Sequence, residues 1–177
     1  MKFNETNVDG CFVVEPDRFD DERGFFARIW DSKEFNQRGL STTFAQFNLA
    51  FNHKAATLRG MHFQSAPHAE VKLVRCTRGA VYDVIVDLRP DSRTYLKWAG
   101  VELTADNYRT FYVPKGCAHG YVTLVDGAEV AYQVSETYAP QAAGGVRWND
   151  PAFKVDWPIQ PKIINPRDAT YPDYKKA

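Results

Sequence analysis

Short runs in which apolar and polar residues alternate, or which are rich in β-branched residues, recur along almost the whole chain. Each run is ended by turn residues. Many short strands at such regular spacing, without helices long enough for parallel crossovers, predict an all-β sandwich or barrel. Turn signals such as Arg78-Gly79 and Asp126-Gly127 separate the segments. The candidate strands are residues 11–15, 25–30, 44–51, 57–63, 71–77, 80–88, 96–103, 109–113, 118–124 and 129–137, with two shorter ones at 145–147 and 154–156.

Helical signals are sparse. Residues 32–38 are compatible with one or two turns, with Ser32 as the N-cap and Gly39 as the stop. From Trp157 onward the chain holds four prolines, which predict an irregular C-terminal wrap rather than a second domain. With 177 residues, 44% of them hydrophobic, we expect one domain over residues 1–177 with N-terminal strands and this wrap.

Charge and cysteine usage exclude several function classes. Lys plus Arg and Asp plus Glu are equal at 22 each, which argues against a general binder of nucleic acid or membrane surfaces. Three cysteines without a C-x-x-C pair indicate neither a disulfide framework nor a structural zinc site. No apolar run approaches membrane-spanning length, so we expect a soluble, cytoplasmic protein.

The segment T-L-R-G-M-H-F-Q and the strands after it concentrate chemically useful side chains. Arg59, His62, Lys72 and Arg75 combine a histidine with permanent cations, which suits proton transfer on an anionic substrate. A regular strand would place Arg59 and His62 on opposite faces, unless a bulge at Gly60 rotates the pattern. The alternative is a half-buried strand pair with an ordinary polar face.

The segment V-P-K-G-C-A-H-G-Y has the pattern Pro-x-Gly-x-x-His, a tight turn that delivers His119 to the start of a strand. This pattern resembles the second motif of the cupin superfamily, a jelly roll or double-stranded β-helix. Metal-binding cupins also have His-x-His in a first motif, where this chain has His62-Phe63-Gln64. The sequence therefore provides few of the histidine ligands that a metal centre of this kind would need.

Seven motifs in one order extend the resemblance from fold to family. They are D-E-R-G-F-F, L-R-G-M-H-F-Q, E-V-K-L-V-R-C, D-V-I-V-D-L-R, V-P-K-G-C-A-H-G-Y, A-Y-Q-V-S-E-T-Y-A-P and W-N-D-P. Together, over about residues 15–168, they are similar to the dTDP-4-dehydrorhamnose 3,5-epimerase family. The resemblance implies a homodimeric, metal-free and cofactor-independent cupin-type jelly roll with short peripheral helices. Its implied substrate is a nucleotide-linked 4-keto-6-deoxyhexose, in deoxysugar and polysaccharide biosynthesis.

The resemblance also implies roles for four residues. A keto group acidifies the hydrogens on the adjacent carbons, so epimerisation needs a base, a cation for the enolate oxygen and an acid on the opposite face. By resemblance, His62 is the base and Asp168 holds and polarises it. Tyr132 is the proton donor from the other face, and Lys72 stabilises charge on the keto oxygen.

A second implied set binds the substrate through cations, aromatic rings and polar side chains. Its members are Arg23, Arg59 and Arg167 for the diphosphate, Phe26 and Tyr138 for the base, Gln46 and Asn48 for the nucleotide, and His119 for the sugar site.

Four residues depart from the family pattern. Arg28 replaces a glutamate, Leu49 and Ala50 replace His-Ser, and Ala143 replaces an acidic residue. All lie in segments expected near the nucleotide, so we expect a preference for a nucleotide or sugar other than the usual dTDP-linked one.

Four alternatives stay open. The same base would support epimerisation at C3 alone or a 3,4-ketoisomerisation on a non-dTDP sugar nucleotide. A metal-dependent cupin and a non-enzymatic sugar-binding module are more distant alternatives.

Overall fold

The computed structural model describes residues 1–176, and its architecture is two facing sheets of short strands with two short helices. The helices are α1 Ser32–Asn36 and α2 Pro166–Ala169. In the described part of the chain, no helix is long and apolar enough to cross a membrane. The strands are β1 Lys2–Glu5, β2 Phe12–Glu15, β3 Arg18–Asp21, β4 Gly24–Ala27, β5 Gln46–Asn52, β6 Thr57–Gln64, β7 Lys72–Arg78, β8 Ala80–Asp87, β9 Trp98–Thr104, β10 Thr110–Val113, β11 Cys117–Thr123, β12 Ala128–Val134, β13 Ala143–Gly145 and β14 Ile163–Ile164.

Neighbouring strands in each sheet are mostly distant in sequence. The first sheet has the antiparallel order β1-β2-β10-β7-β12-β5, so β5 forms one of its edges. The second has the order β13-β6-β11-β8-β9, and β14 joins β6 in parallel. The strands β3 and β4 form a separate hairpin. The prediction of an all-β sandwich is confirmed.

The main core lies between the two sheets. Val74 and Val130 of the first sheet pack with Ile85 and Leu103 of the second, and all four side chains are fully buried. Because alternate residues of a strand point to opposite faces, the same strands also present side chains outward, and these need separate cover.

The two ends of the chain provide that cover. On the first sheet, Phe35 of α1 is fully buried against Leu73 and Tyr112. On the second, Phe153 packs with Val84 in a cluster that also includes side chains from the C-terminal tail. The tail is largely irregular, as its prolines predict, but it also contains β14 and α2, which the sequence patterns missed.

The predicted helix is present with a different cap. Asp31, rather than Ser32, is the N-cap, because its extended backbone lets the carboxylate accept from the N–H groups of Lys33 and Glu34. The helix ends at Asn36, and Gly39 then adopts a φ of +68°, as expected for a stop.

The strand predictions are mostly confirmed to within two residues, with the following differences. Residues 154–156 are not a strand, since Lys154 has a φ of +52° that extended backbone excludes. The strand predicted at 145–147 lies instead at Ala143–Gly145, and those predicted at 25–30 and 129–137 end at Ala27 and Val134. The strands β1 and β3 were missed because both are mostly exposed and show no apolar alternation.

A buried carboxylate organises the turn after β8. Asp87 is fully buried and accepts hydrogen bonds from the guanidinium of Arg89 at 2.8 Å and the hydroxyls of Ser92 and Thr94 at 2.6 Å each. Burial opposes ionisation, but these hydrogen bonds lower the pKa of Asp87 to about 2 from its usual 3.8.

We expect Asp87→Asn to lower the free energy of unfolding by about 2 kcal/mol at pH 7. A depressed carboxyl pKa stabilises the fold above the unfolded-state pKa, and this contribution disappears as the pH falls through the folded-state value. Urea unfolding between pH 7 and pH 2 should therefore show parent and variant converging at the acid end. Asp91→Asn, in the exposed part of the same turn, is the matched control. A difference between Asp87→Asn and parent that does not vary with pH would contradict this account.

Candidate active site

A cavity of about 290 Å³ is lined by residues of both sheets and of α2. It adjoins a second cavity of about 370 Å³, and the two share His62, Lys72, Tyr132 and Arg167. The first is lined by Ala50, Arg59, His62, Lys72, His119, Tyr121, Tyr132, Asn165, Arg167 and Asp168.

A bulge in β6 explains how Arg59 and His62 face the same cavity. In the pairing with β11, His62 lies opposite His119 and Arg59 lies opposite Tyr121, so β6 carries one more residue than its partner. The extra residue reverses the alternation between Arg59 and His62. Met61, between them, is fully buried in the cluster on the outer side of the sheet. The rotation anticipated at the glycine of this segment is confirmed.

The two strands approach each other closely at this bulge. Gly60 has a φ of +131°, a conformation that side chains rarely allow. A Cβ atom at Gly60 would lie 2.5 Å from the Cα of Gly120 and 2.9 Å from the carbonyl oxygen of His119. The bulge therefore depends on glycine for both its conformation and its space.

The His62 side chain is paired with a carboxylate from the C-terminal tail. Its Nε2 lies 2.7 Å from Oδ1 of Asp168, whose Oδ2 accepts from the backbone N–H of Gly60 at 3.1 Å. Burial raises the pKa of Asp168, but the hydrogen bonds from His62 and Gly60 outweigh it and hold this pKa below its usual range. An ionised carboxylate only accepts, so Nε2 carries a hydrogen and Nδ1 is left to take a proton.

A second histidine–carboxylate pair lies beside the first. The Nε2 of His119 is 2.8 Å from Oδ1 of Asp83, a fully buried residue of β8. Burial raises the pKa of Asp83, although His119 and Lys72 oppose that shift. The pair holds the His119 ring as part of the cavity wall.

Lys72 and Tyr132 approach the cavity from the first sheet. The Nζ of Lys72 lies 3.1 Å from a carboxylate oxygen of Glu70 and 3.4 Å from the carbonyl oxygen of His62. Burial raises the pKa of Tyr132, the negative charge of Glu70 adds to this, and Arg59 opposes it. A phenol, an ammonium and an imidazole therefore meet around one space.

The predicted cations and nucleotide contacts divide between the two cavities. Arg59 is fixed by a 2.8 Å hydrogen bond from its Nε to Oδ1 of Asn52, and it lines the first cavity. Gln46, Asn48 and Tyr138 line the second, where Oε1 of Gln46 accepts from the backbone N–H of Tyr138.

Two predicted substrate-binding residues do not reach either cavity within one chain. Arg23 lies at the tip of the β3–β4 hairpin, highly exposed and paired with Asp21. Phe26, on β4, is also exposed. A single chain thus assembles most of the predicted site but not its contribution from the hairpin.

Of the four residues that depart from the family pattern, two line the cavities and two do not. Ala50 lines the first cavity and Ala143 the second. Leu49 points to the opposite face of β5 and is exposed, and Arg28 lies beside Asp31 outside both cavities. Only the two alanines are positioned to alter the cavity walls within one chain.

Several site residues were missed by sequence reasoning. Glu70, Tyr121 and Asn165 line the cavities, and Asp83 orients His119. Asp83 had a detectable signal, since it is an acidic residue in the middle of a largely apolar strand. The described residues include no group of three or more His, Cys, Asp or Glu side chains that could hold a metal ion.

Comparison with known proteins gives matches to dTDP-4-dehydrorhamnose epimerases. A family model described as dTDP-4-dehydrorhamnose 3,5-epimerase matches residues 5–176. The enzyme of that name from Escherichia coli is 41% identical over 170 residues, 95% of this chain and 91% of the relative. A dTDP-4-dehydrorhamnose 3-epimerase from Streptomyces niveus is 35% identical over 95% of this chain and 81% of its own length.

Solved structures agree. The dTDP-4-dehydrorhamnose 3,5-epimerase from Elizabethkingia anophelis has a TM-score of 0.95 at 39% identity, over 98% of this chain and 96% of the other. The Bacillus anthracis enzyme of the same name, with TDP and pyrophosphate bound, has a TM-score of 0.92 at 42% identity, covering 98% and 99%. These matches confirm the predicted cupin-type jelly roll.

Gly60→Ala should destabilise the protein by about 3 kcal/mol or more, because it adds overpacking against Gly120 to the cost of an unfavourable φ. Gly24→Ala is the matched control, since Gly24 has a φ of +125° but no atom within 4 Å of its added Cβ. The control should lose only about 1–2 kcal/mol. Thermal and urea unfolding measure both, and equal losses would show that the close approach of β6 and β11 is unimportant.

Proposed function

This chain belongs to the dTDP-4-dehydrorhamnose 3,5-epimerase family, and from that premise we propose that it epimerises a nucleotide-linked 4-keto-6-deoxyhexose. The observation that carries the proposal is the 2.7 Å contact between His62 and buried Asp168, in a cavity that also holds Lys72 and Tyr132. This arrangement provides a base, a cation and an acid around one space.

The reaction follows from the acidity of hydrogens next to a ketone. A base breaks the C–H bond at C3 or C5, and the electron pair moves onto the C4 oxygen to form an enolate. An acid on the opposite face then returns a proton to the same carbon, which restores the ketone with inverted configuration. No electrons leave the sugar, so the step balances without an oxidant or a reductant.

His62 is the proposed base. Its Nδ1 takes the proton while Asp168 holds Nε2–H and stabilises the imidazolium that forms. Because hydrogen bonds keep the pKa of Asp168 below its usual range, the carboxylate is ionised at neutral pH. Its attachment to the backbone of Gly60 gives the pair a fixed orientation.

Lys72 and Tyr132 are proposed to complete the proton transfer. A preorganised donor beside a developing oxyanion is worth about 3 kcal/mol in other enzymes, and we assign this role to Lys72. The raised pKa of Tyr132 favours its protonated form near neutral pH, as a proton donor requires.

The remaining residues are assigned to substrate binding. Arg59 and Arg167 supply cations for the diphosphate, since a guanidinium matches phosphate oxygens in bidentate geometry. The nucleoside is assigned to the second cavity, with Tyr138 against the base and with Gln46 and Asn48 as polar partners. His119, fixed by Asp83, forms the wall of the sugar site.

We further propose a homodimer in which the β3–β4 hairpin reaches the site of a second copy. Arg23 and Phe26 then act across the interface as the phosphate and base contacts. Support comes from the exposed apolar side chains of Phe47, Leu49 and Phe51 on edge strand β5. An unpaired edge strand with an apolar face is suited to pairing with another chain.

A second candidate is epimerisation at C3 alone. It is included because a relative that is 35% identical, from Streptomyces niveus, is named a 3-epimerase. The number of carbons processed depends on how the ring sits between His62 and Tyr132.

Solvent deuterium exchange distinguishes these activities. Incubation in D₂O with a panel of nucleotide-linked 4-keto-6-deoxyhexoses should incorporate deuterium at C3 and C5 for double epimerisation, or at C3 alone for the narrower activity. His62→Ala should abolish exchange because the base is lost, while dTDP affinity stays close to that of the parent. His53→Ala, at an exposed position outside both cavities, is the control. Absence of exchange by the parent with every sugar would refute the proposed function.

Mixing two inactive variants tests the hairpin. Random reassociation of His62→Ala and Arg23→Ala subunits should make about half the dimers heterodimeric, each with one intact site, so about a quarter of parental activity returns. The intact site combines His62 of one subunit with Arg23 of the other. If Arg23 served its own subunit, every site in the mixture would carry one substitution and no activity would return. Each variant alone is the control.

A further inference from the structure

Glu70 is a largely buried carboxylate beside the proton-transfer residues that the proposed mechanism does not use. It precedes β7 by two residues, its side chain is only 11% exposed, and it lines the second cavity with His62, Lys72 and Tyr132. A carboxylate loses its hydration when it is buried, so its position requires partners that replace the lost water.

Both oxygens of Glu70 are occupied by fixed donors. Oε1 lies 3.1 Å from the Nζ of Lys72, and Oε2 accepts from Nε2 of Gln64 at 3.0 Å. The Lys72 ammonium also donates to the carbonyl oxygen of His62 at 3.4 Å. An ammonium has three N–H groups. Two are therefore directed at the protein, and one is left for the cavity.

Gln64 is itself held from several sides. The two hydrogens on its Nε2 are shared among Glu70 and the carbonyl oxygens of His68 and Thr137, and its Oε1 accepts from the backbone N–H of Ala139 at 2.7 Å. The side chain is buried and spans from β6 to the segment on both sides of Tyr138. The carboxylate of Glu70 is thus anchored to a rigid part of the fold.

We propose that Glu70 is a positioning residue for the reaction: anchored by Gln64, it holds the Lys72 ammonium so that its free N–H meets the keto oxygen. This rests on the proposed function. A lysine side chain is flexible, and an oxyanion is stabilised most by a donor whose geometry is set before the reaction. The ion pair with Glu70 supplies that preorganisation.

The same charge also acts on the phenol of Tyr132. Glu70 raises the pKa of Tyr132 in addition to the effect of burial, while Arg59 lowers it. The activity of a tyrosine proton donor is lost as the pH rises through its pKa. Removing the Glu70 charge should therefore move the alkaline limb of the rate profile to lower pH. The other titratable or charged groups around the same cavities are His62, Lys72, His119, Tyr121, Tyr138, Arg167 and Asp168.

Glu70→Gln is the direct test, with deuterium exchange into a dTDP-linked 4-keto-6-deoxyhexose as the readout. One end of the substituted side chain becomes an NH2 group, which places a donor against either the Lys72 ammonium or the Gln64 amide, so we expect kcat to fall about 10- to 100-fold while KM changes little. The alkaline limb should move to lower pH. Glu70→Asp keeps the charge but shortens the reach, so kcat should fall with the limb unmoved.

A double variant distinguishes positioning from a general structural effect. If Glu70 acts through Lys72, adding Glu70→Gln to Lys72→Met should lower the exchange rate no further at pH values below the alkaline limb, where Tyr132 stays protonated in every variant. Glu102→Gln, which removes one exposed carboxylate on β9, should match the parent. Melting temperature and dTDP affinity are followed for every variant.

The outcomes separate the two proposals. A parent without exchange contradicts the proposed function itself. If the parent is active but Glu70→Gln keeps the parental kcat and alkaline limb, the role of Glu70 is overturned. It is also overturned if, below the alkaline limb, the loss from Glu70→Gln multiplies the loss from Lys72→Met in the double variant. Should Glu70→Gln fail to fold, Glu70→Asp decides, because parental kcat in that variant also overturns the proposal.

Discussion

The close approach of β6 and β11 at Gly60 and Gly120 is the constraint on which the site depends. A regular β6 would direct Arg59 and His62 to opposite faces of the sheet, and no single cavity would contain both. The extra residue in β6 reverses the alternation, buries Met61 on the far side, and leaves the backbone N–H of Gly60 free to bind Asp168. One local irregularity thereby places a cation and a base on the same wall and provides an anchor for the partner of that base.

The anchor matters because Asp168 comes from a segment with little structure of its own. The α2 helix has four residues, too few to be stable without support from the fold. Asn165 caps it, and β14 pairs with β6 just before it, so the tail is fixed against the strand that carries His62. The His62–Asp168 contact closes this arrangement. The contact that completes the site therefore also holds the tail against β6.

Alternation and turn chemistry predicted the strands and the sandwich, because both are local, whereas the cavity residues, with Asp168 as the partner of His62, were implied by the family resemblance. Local patterns did not locate what depends on distant contacts. Asp168 lies 106 residues from His62, and they meet where β14 pairs with β6 and α2 contacts the same strand. Glu70 carried no periodic signal, since it lies in the loop before β7, and its role depends on contacts with Lys72 and Gln64. The bulge was visible as a glycine, but its effect on Arg59 required the register with β11.

The site residues that one chain contributes differ in role from those assigned to its proposed partner, and this difference bears on substrate choice. Proton transfer is assigned to side chains of a single chain, whereas two assigned nucleotide contacts, Arg23 and Phe26, extend away on the hairpin. Of the departures from the family pattern, only Ala50 and Ala143 line the cavities. By the family resemblance, Ala50 stands in place of a serine and Ala143 in place of an acidic residue, so both would remove hydrogen-bonding groups from the cavity walls. A change of nucleotide or sugar preference would then arise at these walls, without any alteration of the groups that move the proton.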